Sequence, residues 1–184
     1  MFTPLKTAAA VFAVVLGATA SFAANPDVGG APMFTDKNII ENAVNSADHT
    51  TLVAAVKAAG LVDALMSEGP FTVFAPVNDA FAALPAGTVE TLLEPENKGQ
   101  LTKILTAHVI AGDLSANDLK AQAATSSDGF AHLETLSGDA LSAQVRGDNV
   151  FIFDENGNAA KITISDVDQS NGVIHVVNKV LLPK

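Results

Sequence analysis

The sequence predicts an α+β fold, because helical patterns fill the first half of the chain and short strands fill the second. Up to about residue 122 the apolar side chains recur at helical spacing, and after about residue 128 they form short runs separated by turn signals. Helices grouped ahead of hairpin-joined strands are typical of the α+β class. No internal repeat is visible, so the pattern predicts one copy of one domain.

The clearest helix is predicted over residues 50–60. Its apolar side chains Leu52, Val53, Val56 and Ala59 share one face, and Gly60 ends it. Further short helices are predicted over 61–70, 88–99 (broken at Pro95), 99–112 and 115–122.

Two details of these later helices bear on the site. In the segment 99–112, Leu101, Ile104, Leu105 and His108 fall on one helical face. Ser115 is predicted as an N-cap residue, with Asp118 three residues further on.

The second half predicts an antiparallel set of strands. They are expected over 130–136, 141–145, 149–153, 161–165 and 172–182. The turn signals between them are 137–139, 147–148, 156–158 and 170–172, which contain Gly-Asp, Asn-Gly and Gly-Asn pairs.

One strand is predicted in the first half, within "FTVFAPVNDAFAALP" at 71–85. Both of its faces are apolar, so we expect a central, covered strand that joins the sheet from a distance and ends at Pro76. Asn78 is predicted to cap the next helix by accepting from the N–H of residue 80 or 81. Asp79 suits the first helical turn, and Phe81 is expected in the core.

The amino terminus predicts a secretory signal peptide over residues 1–23. Lys6 is the only charged residue before Asp27, and an uncharged run from Thr7 to Ala23 follows it. We expect cleavage after Ala23, with Ala20 as the alternative site and a retained anchor as the alternative interpretation. Residues 24–33 are rich in Pro and Gly and predict a flexible leader, so the domain is expected over 34–184.

Charge and composition restrict the partners of the processed chain. Its 9 basic and 20 acidic side chains leave a net charge of −11, which disfavours nucleic acid and anionic lipid. No further apolar stretch is long enough to span a bilayer, so no membrane insertion is expected after cleavage. The sequence has no Cys, so the hydrophobic core must stabilise the fold without disulfides. It also has no Trp or Tyr, which excludes a sugar site built by stacking on those rings.

Several segments, in the same order along the chain, resemble segments of the fasciclin, or FAS1, domain family. "FTVFAPVNDAF" (71–81) is similar to its first signature and "NGVIHVVNKVLLP" (171–183) to its second. "ILTAHVIAG" (104–112) and "LETLSGDAL" (133–141) resemble the segments between them. The resemblance covers about residues 36–184. Val77 departs from the usual Thr or Ser, and Ala107-His108 replaces the Tyr-His of many animal members.

The resemblance implies a small secreted bacterial protein with a β-wedge or sandwich of about seven strands packed against a helical layer. The family signature residues, which we expect to be structural, are Phe74, Ala75, Pro76, Asn78, Asp79, Phe81, His108, Gly138, Asn171, Gly172, His175, Val177, Leu182 and Pro183.

The four histidines show no metal-binding spacing. His108 and His175 lie in apolar surroundings, so buried, neutral, hydrogen-bonded rings are the favoured interpretation. We expect His108 to bond the turn region at Asn78 and to tie its helix to the first signature.

Two short motifs favour turns over ligand sites. "DENGN" (154–158) resembles the start of an EF-hand loop, but Ala159 and Ser165 occupy the positions that require Gly and Glu. "RGD" (146–148) suits an integrin ligand, but Gly147-Asp148 is also a favoured hairpin turn.

No catalytic motif is present, since nucleophile-elbow, phosphate-loop and dinucleotide patterns are all missing. The favoured function is an exported, periplasmic or secreted, monomeric and non-enzymatic module for adhesion or binding. It would contact a protein, the extracellular matrix or a cell surface, without a cofactor, and residues 171–178 are expected to present a strand edge to the partner. The alternative is a soluble carrier of an apolar ligand such as a carotenoid, and a hydrolase ranks third.

Overall fold

The computed structural model describes residues 25–184, so the predicted signal peptide at 1–23 lies outside the described residues. The helices are α1 (Ile39–Ala43), α2 (Thr50–Ala59), α3 (Val62–Leu65), α4 (Asn78–Ala82), α5 (Thr88–Leu93), α6 (Lys98–Thr106) and α7 (Ala116–Thr125), with 3₁₀ turns at Ala47–His49 and Pro95–Asn97. The strands are β1 (Asp27–Val28), β2 (Ala31–Pro32), β3 (Phe71–Pro76), β4 (Val109–Ala111), β5 (Phe130–Glu134), β6 (Ala140–Arg146), β7 (Asn149–Phe153), β8 (Ala159–Gln169) and β9 (Gly172–Val177). None of the helices in this range is long and apolar enough to cross a membrane.

Seven strands form one sheet in the order β4-β3-β9-β8-β7-β6-β5. The hairpin-connected strands β5 to β9 pair antiparallel, as the turn signals predict. β3 enters from the first half of the chain and pairs parallel with β9 and antiparallel with β4. The two edges approach each other, because the Leu136 N–H just after β5 donates to the Val109 carbonyl of β4 at 2.8 Å. The predicted α+β class is confirmed, with a mostly antiparallel sheet that is nearly closed into a barrel.

The core has two parts, one on each side of the strand pair β3 and β9. Val73 and Ala75 of β3 lie in the first part of the core, where they pack with apolar side chains of α1, α2 and α6. Phe74, which points the other way, packs inside the barrel with the inward side chains of β5 to β8. Helix α7 adds Leu119 and Ala123 to this second core. Both faces of β3 are therefore covered, as its apolar pattern predicts.

Strand β8 bends to serve both parts of the core. Its register against β9 shifts between Ile162 and Ile164 and again between Ile164 and Val167. Asp166 lies within the second irregularity at a φ of 56°. Because a bulge bends the strand and redirects its side chains, Ile162 contacts the barrel interior and Val167 contacts the helical core.

The strongest helix predictions are confirmed. α2 ends at Gly60, which adopts the left-handed conformation at a φ of 73°. Ser115 caps α7 in a capping box, in which its side chain accepts from the Asp118 N–H.

The prediction of one helix over 99–112 is wrong beyond Thr106. α6 ends there, and the β-branched residues Val109 and Ile110 lie in β4, opposite β3. Pairing with the open edge of β3 outweighs the helical spacing of the apolar residues, because that spacing is a weak signal over a single turn.

Part of the predicted flexible leader is ordered. β1 and β2 form a hairpin whose turn residues Gly29 and Gly30 have φ values of 61° and 73°. The hairpin buries Val28, Ala31 and the following Met33 in the helical core. These apolar side chains outweigh the Pro and Gly content that predicts flexibility.

Gly172 permits the parallel pairing of β3 with β9. A Cβ atom at this position would stand 1.9 Å from the Phe71 carbonyl oxygen and 2.7 Å from the Phe71 nitrogen. The φ of Gly172 is 150°. No side chain fits there without displacing the strand backbone.

We therefore expect Gly172→Ala to lower the free energy of unfolding by about 3 kcal/mol or more, combining backbone strain with a backbone clash. Chemical denaturation followed by circular dichroism measures this change. Gly157→Ala is the matched control, since Gly157 also has a positive φ, 81°, but open space around it, so a loss of about 1 kcal/mol is expected. Equal losses for the two variants would contradict the role of close strand approach.

Candidate functional site

The two signature segments lie side by side in the middle of the sheet as β3 and β9. Phe74 stands opposite His175 in the parallel register. Their rings stack with centroids 5.7 Å apart and planes inclined by 27°. Ala75, Pro76 and every residue of β9, including Val177, are buried. This part of the signature therefore forms the interior of the domain and leaves no open site along the strands.

The predicted capping role of Asn78 is wrong. The N-cap of α4 is Val77, and Asn78 already lies in the helix, so its side chain points sideways to the start of α2. Its Oδ1 accepts from the Thr51 N–H at 3.0 Å and from the Thr50 hydroxyl at 3.2 Å. Its Nδ2 donates to the Ala47 carbonyl at 2.8 Å. Asn78 thus ties the end of β3 to the helical layer.

The other polar and aromatic residues of the first signature are divided between surface and core. Asp79 is exposed in the first turn of α4. Phe81 is buried in the helical core, 7% exposed.

The expected bond between His108 and the Asn78 region is also wrong. The ring is 3% exposed, and its Nδ1–H donates to the Ile104 carbonyl at 2.8 Å. Its Nε2 accepts from the Leu181 N–H at 2.9 Å. Because α6 ends before His108, the ring turns toward the segment after β9, so it ties the central helix to the second signature. Burial lowers the pKa of His108 to about 4, so the ring is neutral at pH 7.

His175 and His49 are also buried, and both rings are neutral at pH 7. The Nε2–H of His175 donates to the Leu114 carbonyl at 2.8 Å, and its Nδ1 accepts from the Asp166 N–H at 3.2 Å. Burial lowers the pKa of both rings. Among residues 25–184, no group of three or more His, Asp or Glu side chains is arranged to hold a metal ion.

The segment 171–178 does not present a free strand edge, which corrects that expectation. β9 lies between β3 and β8, because the parallel pair covers its outer side. The Asn171 side chain is buried, accepts from the Ile39 N–H at 3.0 Å and donates to the Leu65 and Ser67 carbonyls at 2.8 and 2.9 Å. Asn171 therefore holds the turn before β9 against two helices.

The remaining signature residues lie in turns and in the segment after β9. Gly138, with a φ of 85°, lies in the turn between β5 and β6. The Leu182 N–H donates to Asp154 Oδ2 at 3.0 Å, and Pro183 beside it is half-buried. Asp154 accepts three further hydrogen bonds within its own turn, from Asn156 and Asn158. "DENGN" is thus a hairpin turn whose buried carboxylate is saturated by N–H donors.

An apolar cavity of about 230 Å³ lies between the helical layer and the strands β3 and β4. Fifteen of its lining side chains are apolar: Ile39, Ile40, Ala43, Leu52, Val53, Val56, Leu61, Ala64, Leu65, Phe71, Val73, Phe74, Leu105, Val109 and Leu136. The other three are Ser67, Thr106 and His108. This cavity is a candidate binding site for an apolar group.

A second candidate is a patch on the outer side of β5 to β8, which we call the aromatic face (Phe130, Arg146, Phe151, Phe153 and Lys161). The three Phe side chains are half-buried, and Phe130 and Phe153 pack edge to face at 5.8 Å. The Arg146 guanidinium lies 5.5 and 5.2 Å from the ring centroids of Phe151 and Phe153. Lys161 stands opposite Phe151. A solvent-facing sheet surface with this composition resembles the core of a protein interface.

The RGD tripeptide lies at the end of this face. Gly147, at a φ of 61°, and exposed Asp148 form the two-residue turn between β6 and β7. The Arg146 Nε–H donates to Gln144 Oε1 at 2.7 Å. The arginine is thus held on the sheet by its ring contacts and by Gln144.

Sequence reasoning missed both candidate sites. The aromatic face had a signal, since Phe151 and Phe153 alternate with the inward-facing Val150 and Ile152 and so put large apolar groups on both faces of a hairpin strand. The cavity had none, because it results from the way helices pack on strands.

The fold, the paired signature strands and their buried polar ties define a fasciclin domain. The fasciclin domain family model matches residues 47–183. The chain is 51% identical over 145 residues to protein sll1483 of Synechocystis sp., covering 79% of this chain and 73% of that protein. It is 42% identical over 148 residues to the uncharacterized protein sll1735 of the same organism, covering 79% and 97%. The chain therefore belongs to the fasciclin family.

A solved structure shares the fold. It is a FAS1 domain pair from the insect cell adhesion molecule fasciclin I, with a TM-score of 0.71 and 19% identity. The match covers 79% of this chain and 51% of that one.

We expect His108→Ala to lower the melting temperature at pH 7, because it leaves the buried Leu181 N–H without its acceptor and opens a void. The free energy of unfolding should fall by about 2–4 kcal/mol. A ring with a pKa of about 4 when folded and an ordinary pKa of 6.5 when unfolded binds fewer protons in the folded state. Its contribution is therefore complete above pH 6.5 and is lost as the pH falls toward 4, by roughly 3 kcal/mol.

Thermal unfolding between pH 8 and pH 4 checks this behaviour. His108→Ala should weaken the dependence on pH, with a remainder from His49 and His175. The control is Leu101→Ala at a buried apolar side chain of α6, 4% exposed, which should lower stability without altering its dependence on pH. A wild-type melting temperature for His108→Ala, or an unaltered pH dependence, would contradict the role of this ring.

Proposed function

We propose that this protein is an exported, non-enzymatic binding module that contacts a protein partner at a cell surface or in the extracellular matrix. The observation that carries the proposal is the aromatic face. The signature residues serve the interior, so recognition falls to the parts of the surface that the signatures support.

The aromatic face combines the features of an interface centre. Its rings lie on β5 and β7 and pack against one another or against Arg146, so little side-chain entropy would be lost on binding. Arg146 is the only arginine in the sequence, and the face carries two cations in a chain with 20 carboxylates. A partner with apolar and acidic groups would match this surface.

Family membership and sequence support the remaining parts of the proposal. The structurally similar fasciclin I is described as a cell adhesion molecule, which is the role that we infer here in general form. The predicted signal peptide at 1–23 supports export to the periplasm or beyond. His108, His175 and Asp154 are engaged in structural hydrogen bonds, which favours a scaffold over a catalytic centre.

Attachment of cells or matrix from the source organism to the immobilised protein tests the proposal. Arg146→Ala and Phe153→Ser should each weaken attachment roughly tenfold, as expected for residues at an interface centre. Lys57→Ala is the matched control, since it removes an exposed cation from α2, and it should have no effect. Attachment that is absent, or that all three variants leave unchanged, would contradict the proposal.

Asp148→Asn separates the aromatic face from the RGD tripeptide. It removes the carboxylate that an integrin-type contact requires and leaves the rings and Arg146 in place. Wild-type attachment by this variant supports the aromatic face. Loss with Asp148→Asn and Arg146→Ala, together with unchanged attachment by Phe153→Ser, would instead assign attachment to the tripeptide.

The cavity favours a second candidate function, a carrier of an apolar ligand such as a carotenoid. Its volume of about 230 Å³ exceeds the roughly 150 Å³ of an engineered apolar cavity that binds benzene. Protein purified from its native host would then carry the ligand with it.

Absorption spectra test this candidate with little interference, because the chain has no Trp or Tyr and absorbs weakly at 280 nm. A bound pigment would absorb in the visible range and would pass into organic solvent after denaturation. Protein made in a host without the pigment is the control. A colourless protein with no apolar compound in its extract would argue against a carrier.

A further inference from the structure

The polar groups that line the cavity are already engaged within the protein. His108 bonds Ile104 and Leu181 through its two ring nitrogens. The Thr106 hydroxyl donates to helical carbonyls at 2.8 and 3.1 Å, and the Ser67 hydroxyl donates to the Ala64 carbonyl at 2.6 Å. The lining side chains thus offer a ligand no free hydrogen-bond donor, and only the hydroxyl oxygens of Ser67 and Thr106 remain as acceptors.

This lining restricts the chemistry of an occupant. A hydroxyl, amide or peptide group inside the cavity would lose most of its bonds to water without replacement, which costs several kcal/mol. Sugars, nucleotides and extended peptide segments are therefore disfavoured. Since no lining residue is charged, a carboxylate or ammonium group would be still less stable there.

The cavity rim is apolar as well. Leu136, which lines the cavity, is 49% exposed. An apolar side chain that both lines the cavity and is exposed favours a ligand whose hydrocarbon part extends from the interior to the rim.

We propose that the cavity binds an uncharged hydrocarbon group of one small ligand, with any polar end left outside the rim at Leu136. The proposal rests on the second candidate function and specifies it, because it excludes ligands that must bury a charge. A side chain inserted by a protein partner is the competing occupant.

Two fluorescent probes that share a skeleton test the exclusion of charge. N-phenyl-1-naphthylamine is uncharged, and 1-anilinonaphthalene-8-sulfonate is the same molecule with an added sulfonate. We expect saturable binding of the uncharged probe at one site per chain, with a dissociation constant at least about tenfold below that of the sulfonate, because an unpaired charge is costly to bury.

Two variants locate the site. Ala64→Phe, on the exposed side of α3, puts a ring at the cavity, and Leu136→Asp puts a charge on its rim. Each should weaken binding of the uncharged probe at least about tenfold. Ala58→Phe is the matched control, since Ala58 is an exposed helical alanine outside the lining. Because residues 64, 136 and 58 are exposed, circular dichroism should show folded protein for all three variants.

Each outcome bears on a different statement. Equal affinity for the two probes would overturn the restriction to uncharged groups and leave the carrier function standing. No saturable binding by folded protein would overturn both. Unchanged binding by Ala64→Phe and Leu136→Asp would overturn the assignment to this cavity. If N-phenyl-1-naphthylamine does not bind, but a protein partner is captured and then lost with Leu136→Asp, the cavity receives a side chain and the proposal fails.

Discussion

The parallel pairing of β3 with β9 is the constraint on which the rest of the domain depends. It joins a strand from the helical half of the chain to the last strand of the antiparallel half, across about 100 residues of sequence. Without it, the antiparallel strands would not be joined to β3, which lies between the two parts of the core. The close approach of the two backbones requires Gly172, because a Cβ atom there would overlap the Phe71 carbonyl.

Buried polar side chains secure this arrangement in a chain that has no cysteine. Asn171 bonds Ile39, which is 132 residues away, and His108 bonds Leu181, 73 residues away. Asn78 and Asp154 make comparable ties at the ends of β3 and β7. His108 and Asn171 satisfy backbone groups that would otherwise be buried without partners, so removing either side chain leaves an orphaned donor or acceptor. The neutral form of the buried histidines belongs to the same scheme, since a charged ring there would be poorly solvated.

The residues that identify the family are thus mostly interior, so they stabilise the fold and are not available to contact a partner. Phe74, His175 and Val177 are fully buried, so they preserve the fold and leave partner choice to other positions. The aromatic face and the apolar cavity are separate sites. The face lies on the outer side of the barrel strands, and the cavity lies between the helical layer and the strands β3 and β4. The same scaffold can therefore support an adhesive surface and a ligand site independently.

The fold class, the antiparallel hairpins, the ends of α2 and β3 and the cap of α7 were all predictable from the sequence. These features depend on local chemistry: Gly60 at a left-handed position, Pro76 without an N–H, Ser115 paired with Asp118, and alternation along β5 to β8. Four features became visible only in the folded domain: the parallel partner of β3, the hairpin at 27–32, the β4 strand after α6, and the partners of Asn78 and His108. Those outcomes depend on contacts between segments far apart in the chain, and neither periodicity nor spacing encodes which segments meet. The same reason hid the cavity, which exists only because the helices and strands do not fill the space between them.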